Sequence, residues 1–236
     1  MAEPSLDPQL DRHAAEYDSA LNRGISVSGE GRDWFARERL LHLARCLERL
    51  AFRPQRVLDF GCGIGSAAPF ALEAFPELRQ LIGVDVNAQS LDVARRRHGG
   101  PRVEFRLLSE HVPSADLDLV FCNGVFHHIA PERRAGHVRE IHAALRPGGL
   151  FALFENNPWN PGARYVMSRI PFDRDAIRVS PPAARRLVSA GGFEILHTDF
   201  LFVFPRALSW LRPLERWVRR LPLGAQYLVL GRKPAA

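Results

Sequence analysis

Short apolar runs alternate along this chain with segments in which apolar residues recur every three or four positions. Runs at 56–60, 81–85, 103–107, 117–123, 150–155, 193–203 and 226–231 have strand length. Several are apolar almost throughout, as strands covered on both faces are. Between them, 67–75, 90–97, 132–145 and 181–190 carry helical spacing. Ahead of the first strand, Leu40, Leu43, Ala44, Leu47 and Leu50 fall on one face, which predicts an amphipathic helix over 31–51. Strand–helix alternation of this kind predicts an α/β fold with a mainly parallel sheet. Right-handed crossovers then make the sheet doubly wound.

The boundaries carry their own chemistry. Ser180 before Pro181 reads as an N-cap followed by proline at the first helical position, and Gly191-Gly192 stops that helix. Arg146-Pro147-Gly148-Gly149 is expected to end the preceding helix and turn into the fifth strand. Two stretches exceed what the sheet needs, 156–179 and 205–223, and surplus length at such places is commonly functional. The 236 residues suit one domain with a full core. Its expected parts are a helical cap over 1–51, a cofactor-binding half over 52–155 and a substrate-side half over 156–236.

Composition changes this picture little. Hydrophobic residues make up 46% and charged ones 25%, within the ordinary globular range. The longest apolar runs are far too short to span a membrane. The N-terminus lacks a basic start followed by an apolar block, so no secretory signal is read and a cytoplasmic protein is expected. Cys46, Cys62 and Cys122 show no paired spacing; free buried thiols are expected rather than disulfides or zinc. The formal charge is +6, carried almost wholly by arginine, with Lys233 the single lysine. No basic stripe is interleaved with aromatics, so nucleic acid is not an expected partner.

The chemistry concentrates where the first strand ends. Val57 to Phe60 runs into Gly61-Cys62-Gly63-Ile64-Gly65, a glycine-rich turn leading to a helix. Glycine there lets a ligand approach the backbone, and the following helix offers free N–H donors. Ser66 stands where a dinucleotide fingerprint would have its third glycine, which argues against NAD. Leu81-Ile82-Gly83-Val84-Asp85 is a strand ending in a carboxylate, able to accept both hydroxyls of a ribose.

With Phe121-Cys122-Asn123-Gly124-Val125-Phe126-His127-His128 and Leu145-Arg146-Pro147-Gly148-Gly149, these blocks resemble class I S-adenosylmethionine-dependent methyltransferases. They stand in that family's order and spacing over about residues 55–155. The resemblance implies a Rossmann-like seven-stranded sheet of order 3-2-1-4-5-7-6 with an antiparallel seventh strand. It also implies S-adenosyl-L-methionine as cofactor. Gly61, Gly63 and Gly65 would border the methionine part and the adenosine, with Asp59 and Cys62 in the same block. Asp85 would hold the ribose and Val86 flank the adenine. Ser109 and Glu110 would lie near the adenine amine, and Asn123 and Gly124 near the reactive methyl.

Methyl transfer from a sulfonium needs alignment above all, and a base when the acceptor must lose a proton. His127 and His128 follow the fourth strand at the sheet's carboxyl edge. In an extended segment only one of them faces the cleft; His128 is the expected base and His127 its alternate. Glu155, ending the fifth strand, is the further candidate, orienting a histidine or binding an acceptor hydroxyl. Asn123 is a poor partner to Glu155-Asn156 for a hard cation, so no metal site is expected. Asn156-Asn157-Pro158-Trp159 looks like the motif of nucleic-acid base methyltransferases but follows the wrong strand. Trp159, Tyr165, Met167, Ile170 and Phe172 would cap the edge, with Tyr17, Trp34 and Phe35 closing the other side.

Near the C-terminus Ala207, Trp210, Leu211, Leu214, Trp217, Val218 and Leu221 recur at helical spacing among five arginines, with Pro213 able to kink the helix. Packing of this stripe on the domain or a second subunit is expected. Peripheral membrane contact through 206–221 is the alternative. The acceptor is then a small molecule or lipid-like compound. An NAD-dependent oxidoreductase and a non-catalytic protein that binds the cofactor or a partner are the competing classes.

Overall fold

The computed structural model describes residues 25–170 and 176–235, so Tyr17 and Phe172 lie outside the described residues. Seven strands form one sheet: β1 Arg56–Phe60, β2 Gln80–Asp85, β3 Val103–Leu107, β4 Leu117–Asn123, β5 Leu145–Asn156, β6 Glu194–Leu201 and β7 Gln226–Arg232. Their order is β3-β2-β1-β4-β5-β7-β6, the order the resemblance implies. Only β7 runs against its neighbours, pairing antiparallel with both β5 and β6.

Burial on both faces explains the near-continuous apolar runs. In β4, Leu119 and Phe121 join one core while Val120 and Cys122 join the other, all at 1% exposure or less. The first core takes its helical residues from α1 Arg32–Arg49, α2 Ala68–Ala74 and α3 Ala88–His98. The second takes them from α4 Pro131–Ala144 and α6 Pro181–Ala190. α5, Pro161–Arg169, stands apart from both, beyond the carboxyl ends of β4 and β5. α6 starts as its sequence predicts: the Ser180 hydroxyl accepts from the Ala183 amide, and proline follows. Gly191 ends it by donating to the Leu187 carbonyl.

Three boundaries differ from expectation. β5 begins at Leu145, which pairs with Leu117, and the register then shifts so that Leu119 faces Leu150. Residues 146–149 are therefore an irregularity within the strand rather than a turn before it. Gly148 and Lys233 fix it through backbone bonds, and the Arg146 guanidinium reaches Asp118 at 2.6 Å. β6 stops at Leu201, short of 203, because Phe202 takes a φ of 63° and turns the chain outward.

The third difference is the C-terminal stripe. Residues Arg206–Leu214 form a 3₁₀ segment broken at Leu208, followed by the single turn α7, Glu215–Val218. Neither contains a buried residue. Trp210 and Trp217 are each 73% exposed while Leu211 and Val218 are half-buried, so the stripe packs on this domain only in part.

Candidate active site

The glycine turn leaves β1 and is pinned to β2, where the Gly61 and Cys62 amides both donate to the Val84 carbonyl. Gly61 has a φ of 78°, and a Cβ there would meet Val125 Cγ2 at 2.3 Å. Gly63 also has positive φ, at 52°, but the space a Cβ would enter is open. One glycine permits close packing, and the other leaves room for a ligand. Across the turn, Asp85 Oδ2 accepts the Gly63 amide at 2.8 Å and Oδ1 accepts the Asn87 amide at 2.9 Å. Each oxygen is thereby oriented while keeping further acceptor capacity. Val86 beside it is exposed. Ser109 and Glu110 are exposed on the 3₁₀ turn after β3, whose Leu107 is in register with Asp85.

Asp59, the penultimate residue of β1, is buried. Burial and the neighbouring Asp85 charge push its carboxyl up to about 8, while Arg39 pulls in the opposite direction. Arg39 projects from the apolar side of α1 and is itself buried, which lowers its guanidinium to about 10. It donates to Gln226 Oε1 at 2.9 Å, and Gln226 donates to Asn156 Oδ1 at 3.0 Å. Sequence reasoning missed Arg39. The available signal was its place between Ala36 and Leu40 on the buried side of the helix. Burial, with the charges of Asp59 and Asp85 adding to it, pushes the Cys62 thiol well up.

A cavity of about 410 Å³ opens at the ends of β4 and β5. Its walls come from the N-terminal region (Trp34, Phe35), from α5 (Val166, Met167) and from the segment after β6 (Phe204, Pro205). Its floor includes Asn123, Gly124 and His127. The three glycines and Asp85 are not among its lining residues; Asn123 and Gly124, ending β4, stand between the two regions in strand order. Of the expected cap, Met167 and Ile170 are buried on the wall, while Trp159 and Tyr165 are exposed and do not line the cavity.

Residues 126–128 are not extended. They form a turn in which the His128 amide donates to the Val125 carbonyl, and both imidazoles face the cavity with their centres 4.1 Å apart. The expectation that only one of them does so therefore fails. Their surroundings differ. His127 is 4% exposed and its Nδ1 lies 2.6 Å from Glu155 Oε2. Glu155, at 2% exposure, also accepts the Phe126 amide through Oε1 at 2.8 Å. A carboxylate beside Nδ1 favours the tautomer protonated there, which makes Nε2 the nitrogen able to take a proton. His128 lies on the exposed rim.

Two further groups escaped sequence reasoning. Asn157 is fully buried and its amide donates to the carbonyls of Pro222 and Gly224 at 3.1 and 2.8 Å. The Asn-Asn-Pro-Trp run thus contains a structural latch. Away from the cavity, His42, Cys46 and Asp199 bring three potential metal-ligand atoms together. The Arg220 and Arg219 guanidiniums stand 3.3 and 3.9 Å from the same carboxylate, supplying the positive charge a cation would bring.

A methyltransferase-domain family model matches residues 57–149. The chain is similar to the trans-aconitate 2-methyltransferase of Acidovorax ebreus (strain TPSY), 32% identical over 196 residues, covering 77% of this chain and 75% of that protein. It is also similar to the demethylmenaquinone methyltransferase of Deinococcus radiodurans, 31% identical over 171 residues and covering 70% and 68%. Among solved structures, a TehB-like SAM-dependent methyltransferase from Corynebacterium glutamicum superposes with a TM-score of 0.59 at 19% identity. That match covers 96% of this chain and all of the other.

Proposed function

From the premise that this chain belongs to the S-adenosylmethionine-dependent methyltransferases, we propose that it methylates a small, largely apolar acceptor whose reacting atom must lose a proton. The buried His127–Glu155 pair, set at the floor of an apolar cavity, carries this reading.

The residues at the glycine turn fit the cofactor. Gly63 leaves open space where a side chain would intrude, and Asp59 is buried beside the turn. The cofactor, when bound, supplies an electrophilic methyl on a sulfonium. Asp85 would grip the ribose hydroxyls, using acceptor capacity beyond its two backbone bonds. Gly61, Cys62, Gly63 and Gly65 would border the methionine and adenosine portions. Val86, Ser109 and Glu110 would line the adenine end. Asn123 and Gly124 would separate cofactor from acceptor.

On the acceptor side, the aromatic and aliphatic wall excludes water and positions the acceptor. His127 Nε2 would take the acceptor's proton, and Glu155 would stabilise the imidazolium through Nδ1. General-base assistance of this kind is worth roughly 10²–10⁴-fold. With labelled cofactor and a panel of phenols and quinols, His127→Ala should lose about that much in kcat while binding S-adenosylhomocysteine as the parent does. Full activity in His127→Ala would remove it as base. A larger loss in His128→Ala would move the role to that residue.

A second reading has a specific observation behind it. Arg32 and Arg39 line the cavity, and the Acidovorax relative is named for an acidic substrate. A carboxylate acceptor is already a nucleophile and needs no base. Methyl ester formation on di- or tricarboxylates, undiminished by His127→Ala, would favour this reading over the first.

A further inference from the structure

The geometry points to residues 205–223 as a docking face for an anionic lipid bilayer, which sets the cavity mouth against the membrane. The segment has two unlike sides. Inward, Phe204, Pro205 and Arg212 wall the cavity. The Arg212 guanidinium is bonded to Glu30 at 2.8 Å and lies 4.3 Å over the Trp34 ring. Glu215 also turns inward, accepting the Val203 and Phe204 amides at 3.1 and 2.9 Å. The segment's single acid is thus withdrawn from its outer surface.

Outward, Ala207, Trp210, Leu214, Trp217 and Leu221 follow one another at intervals of three or four residues, and all are exposed. Leu208 and Leu223 extend the apolar surface. Arg216 is exposed along the same segment with its guanidinium 5.1 Å over the Trp217 ring, while Arg206 and Arg220, also exposed, turn their guanidiniums to the Gly29 carbonyl and to Asp199. Exposed tryptophan and leucine flanked by arginine, with no outward acid, is the composition of a segment lying in the headgroup region. The charge complements anionic lipid, which attracts arginine near its surface. Among the described residues no helix is long and apolar enough to cross a membrane, so contact of this sort is interfacial.

The consequence for chemistry rests on the reading of the cavity as the acceptor site. One segment is both its wall and the docking face, so a lipid-soluble acceptor would enter from the bilayer without crossing water.

The docking itself is tested without cofactor or acceptor. The full chain is floated with vesicles of phosphatidylcholine alone and with vesicles one-third phosphatidylglycerol, and parallel titrations measure S-adenosylhomocysteine affinity. Binding should favour the anionic vesicles by at least about tenfold and weaken with added salt. Trp210→Ser with Trp217→Ser should cut it by about tenfold or more, with cofactor affinity unchanged. Absence of vesicle binding, or binding indifferent to this double change, overturns the proposal. So does a concentration-dependent dimer that the double change abolishes, since a second copy would then own the face. A large loss of melting temperature in the double variant would mean that the tryptophans pack on the protein itself, and also overturns it. Failure here with intact methyl transfer to soluble acceptors would leave the proposed activity standing.

Discussion

Asp59→Asn should reverse part of the pH dependence of folding. The native carboxyl, buried beside Asp85, holds its proton up to about 8, against an ordinary value of 3.8. Between those values the native state binds more protons than the unfolded chain, so its stability falls as pH rises. The contribution is complete below the unfolded value and gone above the native one. One proton corresponds to a slope of at most about 1.4 kcal/mol per pH unit. Asparagine keeps the shape and has no such slope. From about pH 5 to pH 7 the variant should therefore gain up to ~2.7 kcal/mol on the parent. In a domain of this size that separates the melting temperatures by a further ~5–10 °C. Thermal or urea unfolding of both proteins without cofactor, at several pH values, measures the difference directly. Parallel stability curves would refute the argument, because they would mean that Asp59 is ionised in the native state throughout this range.

Other outcomes follow from single contacts. Asp85→Ala should weaken S-adenosylhomocysteine binding at least about tenfold by calorimetry, since the charge-assisted ribose bonds are worth roughly 1.5–3 kcal/mol; unchanged affinity would refute that role. Gly61→Ala meets Val125 at 2.3 Å and demands positive φ from alanine, so it should cost about 1–3 kcal/mol in urea unfolding. Adding Val125→Ala should recover only the steric share, because the backbone strain stays. Cys46, whose thiol is pushed up to about 11 by burial and Asp199, should react with a thiol reagent at neutral pH far more slowly than a model thiol. Prompt modification of Cys46 in the folded protein would contradict that.

The fold was legible because strands covered on both faces write themselves as contiguous apolar runs. Leu58, Val120 and Leu153 are buried in the way their neighbours in sequence announce. The glycine turn and Asp85 were legible for the same reason of locality: each motif is continuous, and the neighbouring parallel strands β1 and β2 bring them together. Arg39 was not, because its partners Asp59 and Gln226 are distant in sequence and its charge suggests solvent. Assigning the histidines by strand alternation failed once residues 126–128 formed a turn, and what then distinguishes them is contact with Glu155 across the sheet. The C-terminal stripe shows the limit of periodicity. Spacing showed that one side of 206–221 is apolar, while only the fold shows that this side turns outward.

Asn157 gives this arrangement a mechanical property. Its side chain clasps the backbone at 222 and 224, its own amide donates to the Ala225 carbonyl, and it stands two residues from Glu155. Force applied to the outer segment therefore reaches the end of β5 through a stiff joint, and the carboxylate steadying the imidazole sits close to that fulcrum. Shortening Asn157 to alanine would remove this clasp and leave the carbonyls at 222 and 224 without their side-chain donor.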